Sequence, residues 1–143
     1  MSWPTPEEFY ERFQGDPEAA KRAAFQLGRE IGQILKQRCN IKGKDLNAVA
    51  EILNAAMNMV KSEPSARVEE GRVVKRDRGF CVMMRSALTL KLPWTWLDAN
   101  FAWPWLEGIV STVRPDIKMS VQTSRAKGDQ VCTHIFEVKE TSV

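Results

Sequence analysis

Residues 114–139 read RPDIKMSVQTSRAKGDQVCTHIFEVK, and apolar side chains alternate with polar ones on both sides of the turn Lys127-Gly128-Asp129. A period of two is typical of half-buried β-strands, so residues 117–123 and 131–139 are expected to pair as a hairpin. Side chains two positions apart on a strand share a face. This rule places four side chains of the second strand together: Cys132, His134, Phe136 and Val138.

The first half of the chain shows helical spacing of its apolar residues instead. Residues 7–13, 17–39 and 45–61 are predicted helices, and Thr5 and Asp16 are the expected capping residues of the first two. Gly28 and Gly32 lie one turn apart on the second helix. Glycine is costly in a helix, so close approach of another helix is the expected compensation.

The middle of the chain combines a second hairpin with a tryptophan-rich segment. Residues 66–75 predict two short strands with Glu70-Gly71 at the turn, and residues 80–89 predict a helix. Four of the five tryptophans then lie between residues 94 and 105. Thr95 and Asp98 resemble a capping box, and Pro104 must kink or divide the helix that continues to about residue 113.

These patterns predict an α+β fold in one domain, residues 1–143. Its helical part is residues 1–63, and residues 64–143 form a hairpin–helix–helix–hairpin part, with a small antiparallel sheet packed against helices. A length of 143 residues, with 43% hydrophobic and 27% charged residues, suits a single globular domain.

Composition also limits the partners and the compartment. A net charge of +3 is too mild to make nucleic acid the expected partner, and no apolar stretch is long enough to cross a membrane. The first ten residues lack the pattern of a secretory signal. Three cysteines without close spacing do not form a disulfide framework. We therefore expect a soluble cytoplasmic protein.

Cys132 and His134 are the first candidates for chemistry, because they project side by side from one strand. Thiolate and imidazole are the usual zinc ligands, so Cys132 and His134 together with Cys81 predict a metal site. Three protein ligands and a water would make it a catalytic zinc site, and Asp98 as a fourth ligand would make it a closed one. Alternatively, Cys132 or Cys81 is a nucleophile that His134 activates as a base or by lowering its pKa. A third interpretation makes all three ordinary buried residues.

The tryptophan-rich segment predicts an aromatic-lined pocket for a flat or apolar small molecule. The alternative is packing in the core or in a homodimer interface, where aromatic residues are also enriched. Arg78, in the loop before Cys81, is a candidate for binding a carboxylate at the entrance, or else a solvated loop residue. The candidate ligand-binding residues of the segment are Trp94, Trp96, Asp98, Asn100, Phe101 and Trp103.

About sixty residues, from Gly79-Phe80-Cys81 onward, resemble the L-2-amino-thiazoline-4-carboxylate hydrolase-like family and the wider 4-vinyl-reductase-like small-molecule-binding domains. The similarity is carried by Cys81 at the start of a helix and by three later runs: Glu107-Gly108-Ile109, Arg114-Pro115-Asp116-Ile117, and residues 126–136, AKGDQVCTHIF. The resemblance implies an α+β fold, often dimeric, with a pocket near the matched cysteines that binds metal or lines a ligand site. Relatives frequently have a further cysteine where this chain has Trp94, Trp96 and Asp98.

The function predicted from the sequence is a small-molecule-binding domain whose aromatic-lined pocket lies near Cys81, Cys132 and His134. One alternative is a hydrolase of a cyclic amide or amidine, such as a thiazoline, that uses metal-activated water or a cysteine nucleophile. Another is a homodimeric interaction module without catalysis, with Gly28 and Gly32 on its interface. The identity of the ligand, the presence of zinc and the oligomeric state stay open at this point.

Overall fold

The computed structural model describes residues 3–139 and shows an α+β fold. Three helices come first, followed by a hairpin, a helical middle and a second hairpin. The helices are α1 (Pro6–Phe13), α2 (Pro17–Arg38), α3 (Leu46–Met59), α4 (Val82–Leu90), α5 (Trp94–Leu97) and α6 (Trp103–Ser111). The strands are β1 (Ala66–Glu69), β2 (Arg72–Asp77), β3 (Ile117–Thr123) and β4 (Cys132–Val138).

The first two helices begin where their predicted capping residues place them, and Asp45 caps the third. Thr5 and Glu8 form a reciprocal capping box at α1, which satisfies two amides that the helix leaves without partners. The carboxylates of Asp16 and Asp45 accept hydrogen bonds from the amides of Ala19 at 3.1 Å and Ala48 at 2.9 Å. None of the helices in residues 3–139 has the length and apolar character needed to cross a bilayer.

The two hairpins join into one antiparallel sheet with the strand order β1-β2-β4-β3. Glu70 and Gly71 both have positive φ, 51° and 76°, as the tight turn of a two-residue hairpin requires. Pairing of β2 with β4 places Lys75 opposite His134 and Asp77 opposite Cys132. Because paired residues share a face, these four side chains lie on the same side of the sheet.

The helices cover this inner face of the sheet, and the core lies between the two layers. Val73 and Phe136 are fully buried there with Leu53 and Ile109 of the helices. On the outer face, the Arg76–Glu69 ion pair flanks buried Val74 and Ile135.

The glycines of α2 pack against α6. A Cβ atom on Gly28 would overlap the carbonyl oxygen of Trp105, and one on Gly108 would overlap the carbonyl oxygen of Phe25. The close helix approach predicted from Gly28 and Gly32 is therefore confirmed. The helix that packs on Gly28 and Gly32 is α6 of the same chain. It covers the face of α2 that the homodimer hypothesis assigned to contact with a second copy.

The capping box predicted at Thr95 and Asp98 is wrong. Helix α5 begins after Pro93 without a side-chain cap, and Asp98 starts a π-helical turn, Asp98–Ala102. The Trp103 amide donates to the carbonyl of Asp98, five residues back. Pro104 follows this turn directly, near the start of α6. The helical run continues from Trp94 to Ser111, and the break in its regular α-helical pattern is the π turn before the proline.

Candidate functional site

A cavity of about 220 Å³ lies between the inner face of the sheet and the helices. Its wall is mainly apolar and aromatic, since α2, α3, α6 and the start of the described chain each turn large side chains toward it. A cavity of roughly 150 Å³ holds benzene, so this one has room for a substituted ring. The apolar lining includes Trp3, Ile31, Met57, Phe101, Trp103 and Trp105.

One end of the cavity is polar because β2 and β4 present Lys75, Asp77, Cys132 and His134 to it. Lys75 is only 2% exposed, and its ammonium group pairs with the carboxylate of Asp77. Lys75 was not among the predicted site residues, and Asp77 was expected in the loop before Cys81 rather than on a strand. Their signal is the alternation that continues through Val73, Lys75 and Asp77, but the hairpin was expected to end at residue 75.

His134 lies at this polar end of the cavity, and its ring atom Nδ1 makes no hydrogen bond. The residue is 6% exposed, and Nδ1 is 3.7 Å from the nearest carboxylate oxygen of Asp77. Burial, reinforced by the charge of Lys75, lowers the pKa of His134 to about 4. The imidazole is therefore neutral at neutral pH, with one buried nitrogen that has no partner among residues 3–139.

Cys81 and Cys132 both line the same cavity, although 51 positions separate them in sequence. Cys81 precedes α4, and the sulfur of Cys132 accepts a hydrogen bond from the Arg125 amide at 3.3 Å. Burial raises the pKa of both thiols, and the Asp98 carboxylate raises them further. Protonated thiols beside a neutral imidazole do not support the predicted cysteine nucleophile, because the thiolate is the reactive form.

The predicted zinc site gains no support from this arrangement. Cys81, Cys132 and His134 share the cavity, but no three Cys, His, Asp or Glu side chains within residues 3–139 are placed to hold a metal ion.

Asp98 reaches the cavity from the π-helical turn, opposite the sheet. It is 6% exposed, and burial raises its carboxyl pKa to about 7, against weaker opposite effects of Arg125 and Lys75. This pKa allows the Asp98 carboxyl to gain or lose a proton near neutral pH. The sequence predicted Asp98 as a ligand-binding residue, a further metal ligand or a helix cap, whereas its raised pKa follows only from its buried position.

Arg125 links two loops beside the cavity. It lies in a short 3-10 turn, Arg125–Lys127, before β4, and its guanidinium donates to the carbonyl of Gly79 at 2.8 Å and to the sulfur of Met84 at 2.7 Å. Phe80, adjacent to Gly79, is 40% exposed and also lines the cavity, so this loop marks a place where the cavity meets solvent.

The remaining predicted binding residues lie elsewhere. Trp96 packs edge-on against Tyr10, with ring centroids 5.0 Å apart, and the Asn100 amide donates to the Trp96 carbonyl at 3.1 Å. Trp94 packs against the core, and Arg78 is exposed in its loop. The structure therefore brings only part of the tryptophan-rich segment to the cavity: Asp98, Phe101, Ala102, Trp103 and Trp105.

Comparison of the chain with models of known protein families and with curated proteins gives no match to either. The family resemblance described above thus stays a prediction.

Proposed function

We propose that this protein is a small-molecule-binding domain. Its ligand places an apolar ring in the cavity and a polar group at the polar end formed by β2 and β4. The observation that carries this proposal is the unpartnered Nδ1 of His134, which is buried at the polar end of an otherwise apolar cavity. A buried polar atom without a partner costs about 1–3 kcal/mol, and a ligand atom at this position would remove that cost.

The composition of the wall supports the same proposal. Small-molecule sites are mostly apolar and contain a few polar groups that fix the orientation of the ligand. Here Trp103, Trp105 and Phe101 supply flat apolar surface, and the charged side chains come from the sheet, the π turn and Arg125. Trp3 adds a second candidate contact, since its indole nitrogen is buried without a partner in the described part of the chain.

A thermal-shift and ligand-observed NMR screen of one- and two-ring aromatic compounds tests the proposal. Ala102 lines the cavity, so Ala102→Leu is expected to fill part of it and abolish binding. Ala19→Leu, on the first turn of α2 and outside the cavity lining, is the matched control and should bind like the unmodified protein. Equal binding by Ala102→Leu would place the ligand elsewhere and contradict the proposal.

Asp98 favours a second candidate function, a hydrolase of a cyclic amide or amidine. A carboxyl with a pKa of about 7 is suited to general acid–base catalysis at neutral pH. In such a reaction the oxygen of a water molecule attacks the ring carbon while Asp98 takes a proton from that water. Asp98 then gives the proton to the ring nitrogen as the C–N bond breaks.

Mass spectrometry of small cyclic amides and amidines incubated with the protein tests this candidate. Ring opening adds one water to the mass, and Asp98→Asn should abolish it. The double variant Cys81→Ser with Cys132→Ser should retain it, because neither thiol takes part. Turnover that survives Asp98→Asn would exclude Asp98 as the base.

A further inference from the structure

We propose that the ligand of this pocket is a small apolar acid bound as its monoanion, with the anionic group held between Arg125, Lys75 and His134. The inference rests on the proposed function and adds the charge and chemical class of the ligand.

Arg125 is the first reason for expecting an anion. Arg125 lines the cavity, yet its guanidinium donates to a carbonyl oxygen and a thioether sulfur, neither of which is an anion. The salt bridges formed within residues 3–139 do not include it. A guanidinium has five donors in a planar fork that matches a carboxylate, so donors remain for a ligand.

The polar end of the cavity, formed by β2 and β4, is the second reason for expecting an anion. Lys75 is bound to Asp77, but an ammonium group has three donors, and the unpartnered Nδ1 of His134 lies on the same face of the sheet. A neutral imidazole donates from one nitrogen, so His134 is able to hydrogen-bond an anion without carrying charge. The three residues lie on β2, on β4 and in the turn before β4, and all of them line the same cavity.

The balance of charge disfavours a cation. Four charged side chains line the cavity: the cations Lys75 and Arg125, and the acids Asp77 and Asp98. Their sum is zero when Asp98 is ionised and +1 when it is protonated, and it is never negative. The titratable thiols Cys81 and Cys132 also face this space, while the lining from α2 and α6 is apolar.

Asp98 makes the binding of an anion dependent on pH. Its carboxylate lies near enough to Arg125 to interact with it, so a ligand anion competes with ionised Asp98 for the same cation. Protonation removes the competition and turns Asp98 into a hydrogen-bond donor. Affinity is therefore expected to increase as the pH falls through about 7, provided that the ligand stays ionised.

Benzoate, benzamide and benzamidinium share a ring and differ in charge, and they form the test series. Calorimetric titration at pH 6 and pH 8 should show that benzoate binds at least about tenfold more tightly than either of the others at pH 6, a difference of 1.4 kcal/mol. Benzoate affinity should decrease several-fold at pH 8. Asp98→Asn should remove this pH dependence.

Arg125→Gln is expected to weaken benzoate binding about tenfold and to leave benzamide within twofold, which also checks that the pocket is intact. Arg125→Lys should recover part of the loss, because the charge is kept. Lys127→Gln, in the same turn but exposed, is the matched control and should have no effect. If benzamide, benzamidinium or neutral compounds of the aromatic screen bind and benzoate does not, the proposal of an anionic ligand is wrong. The proposed small-molecule-binding function would still hold in that case. If nothing binds, the proposed function itself fails.

Discussion

Lys75 shows how a single residue shapes this site. A lysine is almost never fully buried unless its charge is paired, and here Asp77, two positions along the same strand, supplies the carboxylate. The hydroxyl of Ser65 also donates to Asp77 at 3.2 Å. The pair keeps a cation beneath the cavity, at the cost of removing both charges from water.

Breaking this pair is expected to be costly. Asp77→Asn leaves the ammonium group of Lys75 buried without its counter-charge and should lower the free energy of unfolding by about 3 kcal/mol. Chemical denaturation measures the loss. Glu69→Gln, which breaks the exposed ion pair with Arg76 on the opposite face of the sheet, is the control and should cost much less. Equal losses would show that Lys75 does not depend on Asp77.

Asp98 should make stability decrease as pH rises. Its pKa is 3.8 in the unfolded reference and about 7 when folded, so the folded state keeps a proton that the unfolded state releases between these values. Stability is therefore lost as pH rises from about 4 to 7, by on the order of 2–4 kcal/mol. Asp98→Asn should stabilise the protein at pH 8 and have little effect at pH 4, as measured by denaturation at each pH.

His134 has the opposite effect on the pH dependence of stability and therefore provides the control for the Asp98→Asn measurement. Its pKa falls from 6.5 to about 4 on folding, so its contribution is present above pH 6.5 and is lost as pH falls toward 4. Asp98→Asn leaves this loss at low pH unchanged, and His134→Gln should remove it. Parallel pH profiles for unmodified protein and Asp98→Asn would contradict the titration assigned to Asp98.

At the scale of the element, two local departures from ordinary helix position the site. The π turn after α5 carries Asp98 and Phe101 into the cavity and brings Pro104 to the first turn of α6. The contact between α2 and α6 depends on Gly28 and Gly108, whose missing side chains let the two backbones meet. Both helices line the cavity, so this contact sets the distance between two of its walls.

Gly108→Ala should therefore destabilise the protein by about 1–3 kcal/mol, because the added methyl meets the backbone of α2. Thermal and chemical denaturation report the loss. Gly15→Ala, where a Cβ atom meets nothing within 4 Å, is the matched control and should change stability by less than about 0.5 kcal/mol. A tolerated Gly108→Ala would mean that the two helices are not in backbone contact.

The whole molecule forms the cavity from parts that are distant in sequence. The sheet brings Cys81, close after β2, toward Cys132 on β4, and the helices cover the inner face above them. A ligand bound inside would hold both layers together. Its free energy of binding therefore adds to the stability of the entire fold.

A ligand at a hundredfold excess over its Kd should stabilise the protein by about 2.7 kcal/mol. For a chain of this length, this corresponds to a rise in Tm of roughly 5–10 °C. Differential scanning calorimetry with the first ligand from the screen measures the shift, and Ala102→Leu should show none. A confirmed binder that leaves Tm unchanged would bind the unfolded chain equally well, which a buried site does not allow.

Local patterns in the sequence predicted most of the fold because its helices and hairpins depend on short-range physics. Thr5 and Asp16 cap the first two helices where expected, and alternation in residues 117–139 defines the second hairpin. The shared face of Cys132 and His134 follows from the same alternation. These features require only neighbours within a few positions.

Tertiary structure alone decided how the hairpins meet, what the glycines of α2 contact and which tryptophans line the cavity. The pairing of β2 with β4 places Lys75 and Asp77 beside His134, and no local pattern specifies that register. Trp96 turned out to pack against Tyr10, whereas Trp103 and Trp105 line the cavity. The pKa of Asp98 and the charge of the pocket depend on burial, which is a property of the assembled layers rather than of any segment.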